Sequence, residues 1–215
     1  YHWTHEHTDA IIEAKKPYLN MPFFVIRMVV YFGGWIFLLA KIRKLSVQSD
    51  SNADFSLFKK QQRYSAIFVV FFAITSTTYA WDWLMSIDTH WYSTLYGWYI
   101  FSSTFVSAIA MIILLVLFVH KLGYLPHLNE EHLHDLGKYL FGFSIFWMYL
   151  WFSQFMLIWY SNIPEETAYF IQRREHYNGL FFLNIGINFL VPFLALMTRG
   201  SKRRKTILAA VAIVV

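Results

Sequence analysis

Five stretches of the chain, about 21–40, 64–83, 95–119, 137–160 and 180–197, each keep apolar residues together for about 20 positions with few charges. That is the length at which a helix crosses the hydrocarbon core of a bilayer. Lipid offers the backbone no hydrogen-bond partner, so such a run must close its own ladder as a helix. Composition agrees: 57% of residues are hydrophobic and only 14% charged, against about 25% charged in soluble domains. The predicted fold is all-α, a polytopic transmembrane helix bundle forming a single transmembrane domain over residues 1–215. A further apolar run at 206–215 is too short to span. It reads as a sixth crossing cut short, with both ends of the sequence internal to a longer polypeptide.

The connecting segments carry the sidedness. Segments 41–63, 121–138 and 199–205 hold 13 Lys and Arg, whereas 1–27, 82–94 and 161–177 hold 5. The positive-inside rule then places the loops 41–63, 121–136 and 199–205 in the cytoplasm. Loops 1–20, 84–94 and 161–177 face the outer, periplasmic side of a bacterial inner membrane. The net charge of +5 is therefore a topology signal and gives no reason to expect nucleic acid as a partner. Lys41–Arg63, polar and without an apolar run, reads as a solvated loop.

Several chemistries are excluded. With no Cys, the chain offers no thiolate to an iron–sulfur cluster and no attachment point for a c-type haem. The crossings hold no His for a b-type haem; His120 stands only at an end. No phosphate-binding Gly–Lys loop and no nucleophilic triad is present. His2, His5 and His7 read as surface histidines, because spacing fixes no further metal ligand, and no metal site is expected. HLHDLGK, at 132–138, reads as a plain polar loop.

What remains is a set of polar groups inside or beside apolar helices, which are costly in lipid unless they face protein or water. Arg27, one to two turns into the first crossing, is expected to snorkel to the interface. Gly33 and Gly34 suit close helix approach, and Ser103, Ser107 and Ala110 a packing stripe. Thr75, Thr78 and Asp82 fall at i, i+3 and i+7, on one helical face. Two readings stand for them: hydroxyls leading to a carboxylate, or threonines bonding their own backbone with Asp82 at the water boundary. Asp88 and His90 lie in the Trp-rich turn 81–98. On the fourth crossing Gly142, Tyr149, Ser153 and Tyr160 form a stripe, with Gln154 and Ser161 beside it and Pro164, Glu165 and Glu166 just beyond. On the fifth, Asn184 and Asn188 lie one turn apart, and Pro192 denies the Asn188 carbonyl its helical partner.

No catalytic residue is expected. The candidate proton path is Asp82, Asp88, His90, Tyr149, Ser153, Gln154, Tyr160, Glu165 and Glu166, and the candidate helix-kink site is Asn184, Asn188 and Pro192. Three functions fit: a quinol-interacting or proton-conducting respiratory subunit, a secondary transporter, or a passive structural anchor. Only one Pro-interrupted crossing is visible, and a transporter with inverted repeats would favour two at matching places.

The phrases YLNMPFFVIRMVVYFGGW, DWLMSIDTHWYSTLYGWY and HLHDLGKYLFGFSIFWMYLWFSQFMLIWYSNIPEETAYF, with the Asn184–Pro192 helix, resemble the F subunit of bacterial alternative complex III. That complex is a quinol:cytochrome c or quinol:oxidase oxidoreductase, and the resemblance covers nearly the whole chain. The family is similar to the membrane anchors of polysulfide and nitrite reductases (the PsrC/NrfD type), built of two four-helix bundles plus extra helices. The resemblance implies a non-catalytic subunit that binds no cofactor itself. Its expected partners are a paralogous C-type membrane subunit, an iron–sulfur subunit and c-type haem subunits, with quinol, haem c and iron–sulfur clusters held there. It also implies that about three crossings precede Tyr1 and that one follows the truncated sixth.

Overall fold

The computed structural model describes Trp3 and residues 10–51 and 54–215. His2, His5 and His7 lie outside the described residues. Every regular element among the described residues is helical, and five helices are long and apolar enough to cross a membrane. The protein is an all-α, multi-pass membrane protein. It divides into two compact units, Tyr1–Tyr92 and Ser93–Val215.

The first unit holds α1 (Ala10–Lys15), α2 (Met21–Ser51) and α3 (Phe55–Tyr79). α3 runs on through a π turn, Ala80–Leu84, and a 3-10 turn, Met85–Ile87. The expected solvated loop at 41–63 is therefore corrected: α2 continues to Ser51, and α3 restarts at Phe55. The apolar run marks where a helix meets lipid, whereas the backbone ladder ends only where something breaks it. Lys, Arg, Leu and Gln past Ala40 are good helix formers and carry the helix on into water. The restart is set by Asp54, whose side chain accepts from the Ser56 N–H at 2.9 Å as an N-cap.

Asp54 is fully exposed, and the Ser56 hydroxyl and N–H hold its carboxyl below the usual carboxylate value. A lowered folded value means the cap stabilises α3 above the ordinary Asp value and loses that contribution as pH falls through the lowered one. The expected result is fraying at the start of α3 below about pH 4, seen as faster amide exchange at residues 56–58. Asp54→Ala should show the same fraying at neutral pH.

α2 packs along α3. Arg27, Tyr31 and Leu38 are the buried residues of α2; with Gly34 they are spaced by 4, 3 and 4 residues, one helical face. Gly34 is there because a Cβ would stand 2.4 Å from two ring carbons of Phe71. Gly33, the other half of the expected close approach, has open space around it. Trp35 closes the seam by donating its indole N–H to Thr75 Oγ1 at 3.0 Å.

The second unit holds α4 (Leu95–Lys121), α5 (Glu130–Ser161), α6 (Pro164–His176), α7 (Asn178–Ile185), α8 (Val191–Ala195), α9 (Arg199–Arg203) and α10 (Lys205–Val214). α4 packs along α5, and α10 closes against α4. α5 begins at a reciprocal cap between Asn129 and His132 and stops at Asn162, the left-handed residue (φ 49°) that ends the ladder. Segment 161–177, expected as a loop, is largely the helix α6. Pro164 opens it, Glu165 and Glu166 fill its first turn, and Arg173, Arg174 and His176 its last, each charge at the dipole end that favours it. The fifth crossing is interrupted by a π turn at Gly186–Leu190, just before Pro192.

The core of this unit is a stripe on each long helix. α4 buries Ser102, Val106, Ile109, Ala110 and Ile113, and α5 buries Leu133, Leu140, Ser144, Trp147, Leu150, Gln154 and Ile158. The packing stripe expected at Ser103 and Ser107 is thus displaced; Ala110 belongs to it, and Ser102 is its small polar member. Gly137 lets α9 and α10 approach α5, since a Cβ would lie 3.0 Å from Lys202 Cβ and 3.2 Å from Leu208 Cδ2.

Candidate functional site

The π turn at the end of α3 carries the most unusual side chain in the protein. Asp82 has no solvent-exposed surface. A π turn inserts an extra residue into the helical ladder and re-aims the side chains beyond it. Here the turn begins at Ala80, between Thr78 and Asp82, and Asp82 faces α2.

From α2, Arg27 meets it. Arg27 Nε donates to Asp82 Oδ2 at 3.0 Å, and Nη2 lies 2.9 Å from Oδ1 as a close charge contact without hydrogen-bond alignment. The Tyr31 hydroxyl, one turn further along α2, donates to the same Oδ2 at 2.9 Å. Arg27 Nη1 donates to the Tyr18 carbonyl at 3.0 Å. The guanidinium also faces the rings of Tyr18 at 4.1 Å and Phe23 at 4.3 Å, a cation–π cradle. The Tyr18 hydroxyl is pushed well above its usual value, first by burial and then by the Asp82 charge. Ser86 donates to the Asp82 carbonyl.

The snorkelling expected of Arg27 is corrected by this geometry: Arg27 is 8% exposed and turned inward. A cation about two turns into an apolar helix has two ways to avoid lipid, water or a counter-charge. Only the tertiary arrangement shows which one is within reach. For the threonines, the local reading holds: Thr75 donates to the Phe71 carbonyl at 2.8 Å and Thr78 to the Thr75 carbonyl at 3.1 Å. Asp82, in contrast, is buried rather than at the water boundary.

The other expected residues are scattered. Asp88 and His90 are exposed in the turn beyond Ile87, where the His90 N–H donates to Asp88 Oδ1 at 3.3 Å. Tyr149 and Tyr160 are 63% and 86% exposed, Gly142 is exposed and Ser153 half-buried. That stripe flanks the buried face of α5 instead of forming it. Glu165 is exposed and Glu166 half-buried on α6.

Gln154 differs: it is buried, and its Oε1 accepts from the Ser93 hydroxyl at 2.9 Å. It shares a small cavity of about 60 Å³ with Tyr99, Trp151, Tyr169, Arg173 and Asn184. The structure thus brings together Gln154 and Asn184, from the fourth and fifth crossings, and adds Arg173. The Arg173 guanidinium lies 3.3 Å from the centre of the Tyr169 ring and donates to the Tyr169 carbonyl at 2.8 Å. Burial raises the Tyr169 hydroxyl above its usual value. Asn188 turns back, donating to the Asn184 carbonyl at 3.1 Å and to its side-chain oxygen. Pro192 is buried.

Among the described residues no three His, Cys, Asp or Glu side chains come together as a metal site would require. No protein-family model matches the chain, and no curated protein matches it.

Proposed function

We propose that the chain is a membrane subunit of a bacterial respiratory quinol:cytochrome c or quinol:oxidase oxidoreductase of the alternative complex III type. In this reading it binds no redox centre. Electrons pass through partner subunits that hold iron–sulfur clusters, c-type haem and quinol, while this chain supports quinol oxidation and handles protons in the inner membrane. The segments 41–63, 121–136 and 199–205 face the cytoplasm. The assignment to that assembly rests on the resemblance of three long sequence phrases and of the Asn184–Pro192 helix. The role in proton handling rests on one observation, the buried Arg27–Asp82–Tyr31 cluster. An ionisable pair inside apolar helices is expensive to keep and is a functional site by default.

The cluster sets a carboxylate inside the apolar helices between a guanidinium partner on Arg27 and a Tyr31 hydroxyl that donates to the same oxygen, so a proton moving through this part of the chain would pass among these groups. Asp88, Glu165 and Glu166 would exchange protons with outer water, and Gln154 and Asn184 would line a separate polar stretch. A second reading, a passive anchor, is favoured by the closeness of the pair: a carboxylate with two guanidinium contacts and a phenol donor also serves as a clip between α2 and α3.

The test separates these readings. In the assembled complex reconstituted into liposomes, Asp82→Asn and Glu165→Gln are expected to lower the number of protons moved per electron while the complex still assembles. Unchanged ratios in both variants would leave only the anchor.

A further inference from the structure

In the second unit, α6 turns one cation inward without giving it a counter-charge. Arg173 is half-buried, its guanidinium held over the Tyr169 ring. It shares a cavity with Gln154, seven residues from the end of α5, and with Asn184, six residues from the start of α7. At about 1.5 Å per residue, those neighbours lie about 9–10 Å in from the helix ends. A guanidinium drawn in among them is costly unless something answers its charge. Asp82 answers Arg27, and Glu131 answers Arg199 and Arg203. Among the described residues no carboxylate comes within ion-pair distance of Arg173.

The unused donors fix the chemistry of the missing partner. Nη1 is occupied by the Tyr169 carbonyl. Nε and Nη2 have no hydrogen-bond partner among the described residues, and neither atom is sealed from solvent. Those two N–H groups form an edge of the guanidinium that can grip an oxyanion through two parallel bonds. Gln154 is similar: the residue is 4% exposed, its Oε1 is taken by Ser93, and its amide nitrogen is accessible without a partner among the described residues. A guanidinium only donates, and no carboxylate stands in the walls around it. The partner is therefore an anion.

The space in front of Arg173 sets the size and character of that anion. It is a partly open recess of about 410 Å³, walled by Gln172, Arg173, Tyr177, Leu180, Phe181 and Asn184. Tyr177 and Leu180 are 61% and 65% exposed and make its rim aromatic and apolar. The rim stands where α7 begins a crossing, the level at which lipid headgroups give way to acyl chains.

We infer that this recess binds the phosphate of an anionic membrane lipid, with Arg173 Nε and Nη2 donating to its oxygens and Leu180 and Phe181 bordering its glycerol and upper acyl chain. Free phosphate carries the same oxyanion, but the apolar rim at the end of a crossing favours the lipid. The inference needs only a chain in a membrane. It stands apart from the respiratory assignment and from Asp82.

The test is native mass spectrometry of the full chain in detergent with dioleoyl phosphatidylglycerol, dioleoyl phosphatidylcholine and inorganic phosphate as probes. Saturable binding of phosphatidylglycerol is expected, about tenfold tighter than phosphatidylcholine, whose choline cancels the phosphate charge. Arg173→Gln is expected to weaken it about tenfold. Arg174→Gln makes the same charge change at an exposed neighbour and should leave binding unchanged. Wild-type affinity in Arg173→Gln, or equal losses in both variants, overturns the assignment, the latter because diffuse positive charge would then hold the lipid. Displacement of the lipid by inorganic phosphate at comparable concentration overturns the lipid source and leaves a site for the free anion. If Arg173→Gln does not fold, Gln172→Glu decides. It sets a carboxylate into the same recess from an exposed position and should exclude the lipid.

Discussion

Arg27→Gln is expected to destabilise the protein by about 3–5 kcal/mol, because it strands the Asp82 carboxylate in a site without solvent exposure. The substituent keeps much of the side-chain length, so packing loss is a minor part of the effect. Tyr31 still donates to Oδ2, but one neutral hydroxyl does not replace a guanidinium cation. The decisive comparison is the double variant Arg27→Gln, Asp82→Asn. It removes both charges and leaves two amides able to bond each other, so most of the lost stability should return. Thermal unfolding in detergent for the wild type, both single variants and the double variant measures this as a cycle. If Arg27→Gln alone unfolds at the wild-type midpoint, the pair does not hold α2 and α3 together.

Trp147→Ala is the second large effect, also expected at about 3–5 kcal/mol. Trp147 is 1% exposed at the centre of the second unit's core, its ring centre 5.9 Å from that of Tyr99. Lipid tails are as apolar as the core, so the loss lies in packing contacts rather than in exclusion of water. Trp147→Phe should cost far less. It keeps most of the ring and removes an indole N–H that has no partner among the described residues. Unfolding midpoints for the two variants, measured side by side, check the ratio. Equal losses would show that the N–H, and not the ring volume, is what the core depends on.

Legibility in the sequence differs sharply between crossings and site. Five helices long and apolar enough to cross a membrane appear, among the described residues, where apolar runs of about 20 residues predict them, since lipid forces each such run into a helix. The helix ends do not track the same runs. α2 goes on past Ala40 and α5 begins seven residues before 137, because polar helix formers continue a ladder that hydropathy ignores. The two π turns carry almost no local signature. Pro192 marks one, but nothing in TSTTYAWDW marks the turn at Ala80 that aims Asp82. Asp82 stands out by its charge near a crossing, yet local reasoning sends its partner to the interface. Arg27 and Asp82 are 55 residues apart, and no spacing rule links them. Tyr99, Tyr169 and Arg173 escape sequence reasoning on the same ground.

The sequence by itself determined the class, the five stretches long and apolar enough to cross a membrane and the set of polar residues expensive enough in lipid to need an explanation. Each of these comes from local content, the apolar length of a run and the desolvation cost of a side chain. Only the tertiary structure decided which of those residues meet. Two helices brought to contact at Gly34 set the Arg27 guanidinium 2.9 Å from the Asp82 carboxylate. The same residues with another partner face would have opened to water. Pairing depends on which faces turn toward each other, and that is settled by packing across the whole helix pair.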